Sequence, residues 1–195
     1  MGLLDIALNK VMDKATSAVV QKTGAQNQAT SEAPLAANSL YMKQKFTFLN
    51  DTYSLFNADQ TPMYNVKGNI TGLEFNVTDA ATNAPVITLK KKLIAIMPEY
   101  SIEKNGQKLG TIKKKMKLTK VSFEGSFNNM PLQIDGNFIG YDFTVSLGGT
   151  QLCIIKKELL SWADCYAIHY DDATKIDAIL GIVLAIDNAL HNTND

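Results

Sequence analysis

Arginine is absent: all 19 basic residues of the 195-residue chain are lysines. Proteins that read bases or grip phosphates bidentately rely on the planar guanidinium. Specific nucleic-acid recognition is therefore not expected, whereas lysine as a point charge still suits diffuse contact with phosphates or lipid headgroups. Cysteine is scarce: Cys153 and Cys165 make no disulfide framework and are expected to be reduced, buried thiols. Histidine occurs only at His169 and His191, too few for a His-rich metal site, so no metal is expected. A phosphate loop, a dinucleotide fingerprint, a zinc-helix motif and Gly-x-Ser-x-Gly are all missing. No cofactor and no enzymatic activity are expected. No apolar run reaches the ~18–20 residues of a membrane span, and the start of the chain lacks a signal-peptide pattern, which points to a cytoplasmic protein.

What is present is an ordinary globular balance, 46% hydrophobic and 19% charged, that excludes wholesale disorder. The net charge of zero conceals a division. Residues 41–120 carry 13 Lys against 6 acids, and residues 121–195 carry 3 Lys against 10 acids. Residues 1–24 contain an amphipathic helix over 3–22. Leu4, Leu8, Val11, Met12, Ala15 and Val19 form its apolar stripe, and Gly24 is its stop. That stripe suits docking on protein, including a second copy, or on a membrane surface. Residues 25–40 have no periodicity and read as a flexible linker.

From residue 41 the hydrophobic period becomes two, as in Tyr141, Phe143, Val145 and Leu147. Turn residues punctuate these runs: Asn50-Asp51, Asp59-Gln60, Asn83, Asn105-Gly106, Asn128-Asn129 and Gly148-Gly149. About twelve strands result: 41–48, 52–57, 63–70, 73–79, 85–93, 99–104, 108–117, 120–127, 131–138, 141–147, 150–158 and 164–171. A repeat at an offset of 66 aligns Lys90-Lys91-Lys92 and Tyr100 with Lys156-Lys157-Glu158 and Tyr166, and Lys113-Lys114-Lys115 with Phe123 keeps the spacing. Asp171-Asp172 then caps a helix over 173–192 whose centre, residues 178–186, is apolar on every side. Nine residues span only ~14 Å, about half a bilayer core. The expected fold is thus mainly β: an antiparallel barrel over 41–195, filled by a buried C-terminal helix.

Within that barrel, alternation turns Ile112, Met116 and Leu118 inward and sets Lys113, Lys115 and Lys117 outside, with Lys90 and Lys92 outside on the strand of the preceding hairpin. These five lysines make an expected basic strip, either an anionic-surface site or simply a solvated exterior. Asp187 is expected to take a buried hydrogen bond that pins the helix, His169 to be structural, and Trp162 to pack at a strand corner.

The paired segments Ile87-Thr88-Leu89-Lys90-Lys91-Lys92 and Met97-Pro98-Glu99-Tyr100-Ser101-Ile102 carry a family resemblance. They are followed by Gly110-Thr111-Ile112-Lys113-Lys114-Lys115, Ile134-Asp135-Gly136-Asn137-Phe138 and the stretch from Lys156-Lys157 to Ser161-Trp162-Ala163-Asp164-Cys165-Tyr166. In order and spacing these resemble the tubby C-terminal fold, in its bacterial LURP-one-related, scramblase-like branch, over about 41–192. The resemblance implies a twelve-stranded barrel around a helix. Tubby proteins bind phosphoinositide headgroups and scramblases act at membranes, but the local motifs of the tubby headgroup site and the scramblase calcium segment are not matched here. The expected function is a non-enzymatic cytoplasmic module, peripheral to a membrane, that binds anionic lipid or phosphorylated headgroups. The rival is a protein-interaction scaffold that self-associates through residues 3–22.

Overall fold

Alternating burial drives the architecture. In a computed structural model, which describes residues 38–43, 52–117, 120–137, 141–160 and 163–191, side chains along most strands turn alternately to a common core and to solvent, whereas Cys165, Tyr166, Ala167 and Ile168 are all buried. Twelve strands follow: β1 (Asn38–Lys43), β2 (Thr52–Phe56), β3 (Pro62–Gly68), β4 (Glu74–Asp79), β5 (Pro85–Lys91) and β6 (Glu99–Lys104). The second half comprises β7 (Gln107–Lys117), β8 (Lys120–Phe127), β9 (Met130–Asn137), β10 (Asp142–Leu147), β11 (Thr150–Leu160) and β12 (Ala163–Tyr170). Each pairs antiparallel with its sequence neighbour, and β1 pairs with β12 from Asn38↔Tyr170 to Lys43↔Cys165, so the sheet closes into a barrel without edges. The first strand begins at Asn38 rather than 41, because Leu40, only 2% exposed, already belongs to the inner face. The expected helix over 3–22 and the linker up to 37 lie outside the described residues, as does Asn50-Asp51.

The expected turns coincide with left-handed backbone. Gln60, Asn83, Asn128 and Asn129 have positive φ, and Asn105 and Gly106 stand at 51° and 76°, the pair of values a type I′ hairpin requires. Register realises the internal repeat. Lys91 lies opposite Tyr100, Lys114 opposite Phe123 and Lys157 opposite Tyr166, so three hairpins each set a lysine across from an inward aromatic.

After a 3-10 turn (Ala173–Lys175), helix α1 (Ile176–His191) runs through the barrel. Asp172 caps the start, accepting from the Thr174 amide at 2.9 Å. Ala178 through Ile186 are all buried, and α1 touches β5, β6, β7 and β11. Gly181 marks a close approach: a Cβ there would stand 2.5 Å from Ile102 Cδ1. Among the described residues no helix is long and apolar enough to cross a membrane.

Candidate functional site

The outer lysines stand on β5, just after it at Lys92, and on β7, with β6 between the two strands. Lys90 Nζ lies 2.7 Å from Glu103 Oε2, Lys92 Nζ 3.7 Å from Glu99 Oε2, and Lys115 Nζ 2.7 Å from Glu124 Oε1. Lys113 sits in register between Glu99 on β6 and Glu124 on β8. Lys117 ends β7, and its side chain lies outside the described ones. The strip is therefore interleaved with carboxylates that the sequence pattern did not assign to it. The bond from Lys90 to Glu103, with the charge of that carboxylate, raises the Lys90 pKa. Two shallow grooves run over this face. One, of about 310 Å³, is lined by Lys90, Lys91, Lys92 and Lys108, together with Glu99 and Thr111. The other, of about 420 Å³, shares Glu99 and Thr111 and adds Lys113 and Glu124.

One lysine of the described residues, Lys114, faces inward, and sequence reasoning missed it. Lys114 alternates with Ile112 on the inner side of β7 and is only 6% exposed. Its Nζ donates to the Ala189 carbonyl at 3.4 Å. That carbonyl is among the last four of α1, which have no partner within the helix. Burial, and then the charge of Lys91, lower the Lys114 pKa. Nearby, the Tyr100 hydroxyl donates to Asn188 Oδ1 at 3.0 Å. Buried Asn188 thus ties the helix to the barrel wall, and its half-buried neighbour Asp187 lines a small cavity with Tyr141 and Tyr166. The Tyr166 hydroxyl is buried without a hydrogen-bond partner among the described residues. Burial, with the charge of Asp187 behind it, pushes the Tyr100 hydroxyl up, and burial, Tyr141 and then Asp187 do the same to Tyr166. The signal for Lys114 was present: in a strand of period two, a triple-lysine run must turn one lysine inward.

The model of one protein family, described as LURP-one-related, matches residues 38–187, from the first residue of β1 to the last turns of α1. The chain belongs to the LURP-one-related family. It is 28% identical over 160 residues to the uncharacterized protein YxjI of Bacillus subtilis (strain 168), covering 80% of this chain and 96% of that one. An X-ray structure of a protein from Arabidopsis thaliana superposes with a TM-score of 0.55 at 14% identity, covering 79% of this chain and 93% of the other. That likeness carries the barrel fold. Neither the family description nor the name of the bacterial relative assigns an enzymatic activity.

In this LURP-one-related barrel, His169 lies at the seam that closes the sheet. Ser39 Oγ is 2.9 Å from its Nδ1, and Glu158 Oε1 is 3.2 Å from its Nε2. A hydroxyl, an imidazole and a carboxylate thus stand in line, but in the reverse of the hydrolase order, where Nε2 meets the nucleophile and Nδ1 the acid. The arrangement ties β1, β12 and β11 together. Cys153 and Cys165 are buried and unbridged, and burial pushes the Cys153 thiol up to about 12. Among the described residues, no group of three or more His, Cys, Asp or Glu side chains could hold a metal. Trp162 lies outside the described residues.

Proposed function

We propose that this chain is a non-enzymatic module that binds an anionic, phosphate-bearing surface through the lysines of β5 and β7. The observation that carries this reading is the 310 Å³ groove lined by Lys90, Lys91, Lys92 and Lys108, with Glu99 as the carboxylate in its lining. Ser101 and Thr111 add hydroxyls to the same groove. Such a surface has no fixed fork to select one phosphate geometry, but it suits a dense array of negative charge. The interleaved glutamates do not oppose the reading strongly. Exposed ion pairs in water are weak, and an anionic surface can compete for the ammonium groups.

The test changes Lys90, Lys92, Lys113, Lys115 and Lys117 together to Gln and measures co-sedimentation with phosphatidylserine-containing vesicles. Each lysine near such a surface is worth about fivefold in affinity, so the variant should bind at least a hundredfold more weakly. Raising the salt towards ~1 M, where the screening length falls to ~3 Å, should weaken the parent in the same way. Thermal unfolding should stay close to that of the parent. Parent-like binding by the variant, or a parent that never binds, would overturn the proposal. Concentration-dependent assembly without vesicle binding would support an oligomerising scaffold in its place.

A further inference from the structure

The connection between β5 and β6 is an unexpected feature of the surface. Read from the sequence, Leu93 continues a strand over 85–93. In the structure β5 ends at Lys91, and residues 93–97 form a loop. Leu93 is 76% exposed, Ile94 86% and Ile96 103%. Scattered exposed aliphatics are ordinary, but three within four residues at one loop tip form an apolar patch.

The base of this loop is held firmly. The Lys92 amide donates to Glu99 O at 2.8 Å, and the Lys114 amide to Pro98 O at 2.9 Å. On the other side, the Lys91 amide donates to Leu73 O at 2.7 Å, which joins the loop to the β3–β4 turn. That turn carries Ile70, another large apolar residue, 81% exposed. A fixed backbone therefore presents the aliphatic side chains outward, on the barrel end where α1 finishes beside Lys91 and Lys114.

The two tips themselves, residues 93–98 (LIAIMP) and 69–73 (NITGL), carry no acid. The nearest carboxylates in sequence, Glu74 and Glu99, stand at their bases, Glu99 3.7 Å from Lys92. Lys90, Lys91 and Lys92 lead into the loop, and Lys113, Lys114 and Lys115 lie on β7, whose Lys114 amide holds the loop's end. A protruding apolar tip flanked by exposed Lys90 and Lys92, whose ion pairs are open to solvent, matches the layered chemistry of a bilayer interface. Aliphatic groups enter the acyl boundary while ammonium groups stay with anionic headgroups. A groove on a protein partner would have to meet apolar side chains and the flanking lysines together, whereas an anionic bilayer offers both layers without further design.

We infer that the β5–β6 loop is a membrane anchor: Leu93, Ile94 and Ile96 insert into the interfacial region of an anionic bilayer, and Ile70 follows at its edge. The inference rests on the anionic-surface reading above and adds an orientation to it. The barrel stands with the β5–β6 end towards the membrane.

The experiment uses the full chain with vesicles of phosphatidylcholine alone or mixed with phosphatidylserine, at low salt. Leu93→Ser, Ile94→Ser and Ile96→Ser are combined in one variant, and Ile94→Trp reports depth. Because the three side chains are exposed, the combined variant should unfold as the parent does. Its affinity for mixed vesicles should fall by at least tenfold, since each inserted aliphatic is worth about a factor of ten. Ile94→Trp should shift its emission to the blue on those vesicles once the Trp162 signal of the parent is subtracted. A parent that binds with salt sensitivity, alongside a serine variant that binds equally and a tryptophan that does not shift, overturns insertion and leaves the lysine reading standing. A parent that binds no vesicle at low salt overturns both. Parent self-association that the serine variant abolishes, without vesicle binding, assigns the tip to a second copy and likewise overturns the anchor.

Discussion

Gly181 shows how one missing atom can position an element. Its neighbour Ile102 is fully buried, and a Cβ at 181 would also stand 2.6 Å from Ile102 Cγ1. The substitution Gly181→Ala brings two opposed effects. Helix propensity favours alanine by about 1 kcal/mol, whereas overpacking a closed core costs about 1–3 kcal/mol. Because the clash falls on the wall of a barrel that cannot open locally, overpacking should win. Denaturant unfolding of Gly181→Ala should show a net loss, and Gly181→Asp, which also buries a charge, should give no folded protein. Adding Ile102→Ala should recover part of the loss in Gly181→Ala, as residues in contact couple non-additively. Full additivity of the two changes would remove Gly181 as the point of closest approach.

Helix α1 is anchored differently at its two ends. At the start, the exposed Asp172 carboxylate accepts from the amide and hydroxyl of Thr174, which lower its pKa. At the end, Lys114 meets the Ala189 carbonyl from the barrel wall. The helix dipole favours a cation there, but the bond is long, and burial with Lys91 nearby disfavours the charge. The lowered pKa indicates that the unfavourable contributions win. Between that lowered value and the free lysine value of ~10.4, the unfolded chain holds the extra proton, so stability from this group rises with pH. Tyr100 and Tyr166 act oppositely: their raised hydroxyls hold stability below ~10 and lose it as pH climbs further. Comparing the parent with Lys114→Met isolates the lysine. At pH 7 the variant should be more stable by about 1 kcal/mol, and the gap should narrow towards pH 10. A variant less stable than the parent at pH 7 would mean that the carbonyl bond outweighs burial.

The whole molecule has its boundary at β1. Leu40 packs in the core, and Asn38, Ser39 and Leu40 pair with Tyr170, His169 and Ile168. A cut after residue 40, where the sequence placed the end of the linker, would strip half of the strand that closes the barrel. A cut before Asn38 leaves every described strand intact and coincides with the start of the family match. Residues 38–195 alone should therefore unfold cooperatively within a few degrees of the full chain, as followed by circular dichroism. Failure to fold would place residues 1–37 in the core.

Local chemistry carried most of the fold. Alternation in β4 to β10, left-handed turns at Asn83, Asn105-Gly106 and Asn128-Asn129, and a helix apolar through its centre each depend on residues a few positions apart. So the strand order, the closing helix and the family resemblance were legible before any coordinates. The functional surface was legible only in part. The outward direction of Lys90 and Lys113 follows from period two, but their carboxylate neighbours come from adjacent strands. Lys114 and Ala189 are 75 positions apart, as Tyr100 and Asn188 are 88, and no local pattern pairs them. The exposure of Leu93, Ile94 and Ile96 was hidden for the same reason. An aliphatic run has the composition of a core strand, and whether it is buried depends on what the rest of the chain packs against it. Propensity and periodicity are properties of neighbours along the chain, whereas burial and electrostatic pairing belong to neighbours in space. Only tertiary closure decides those.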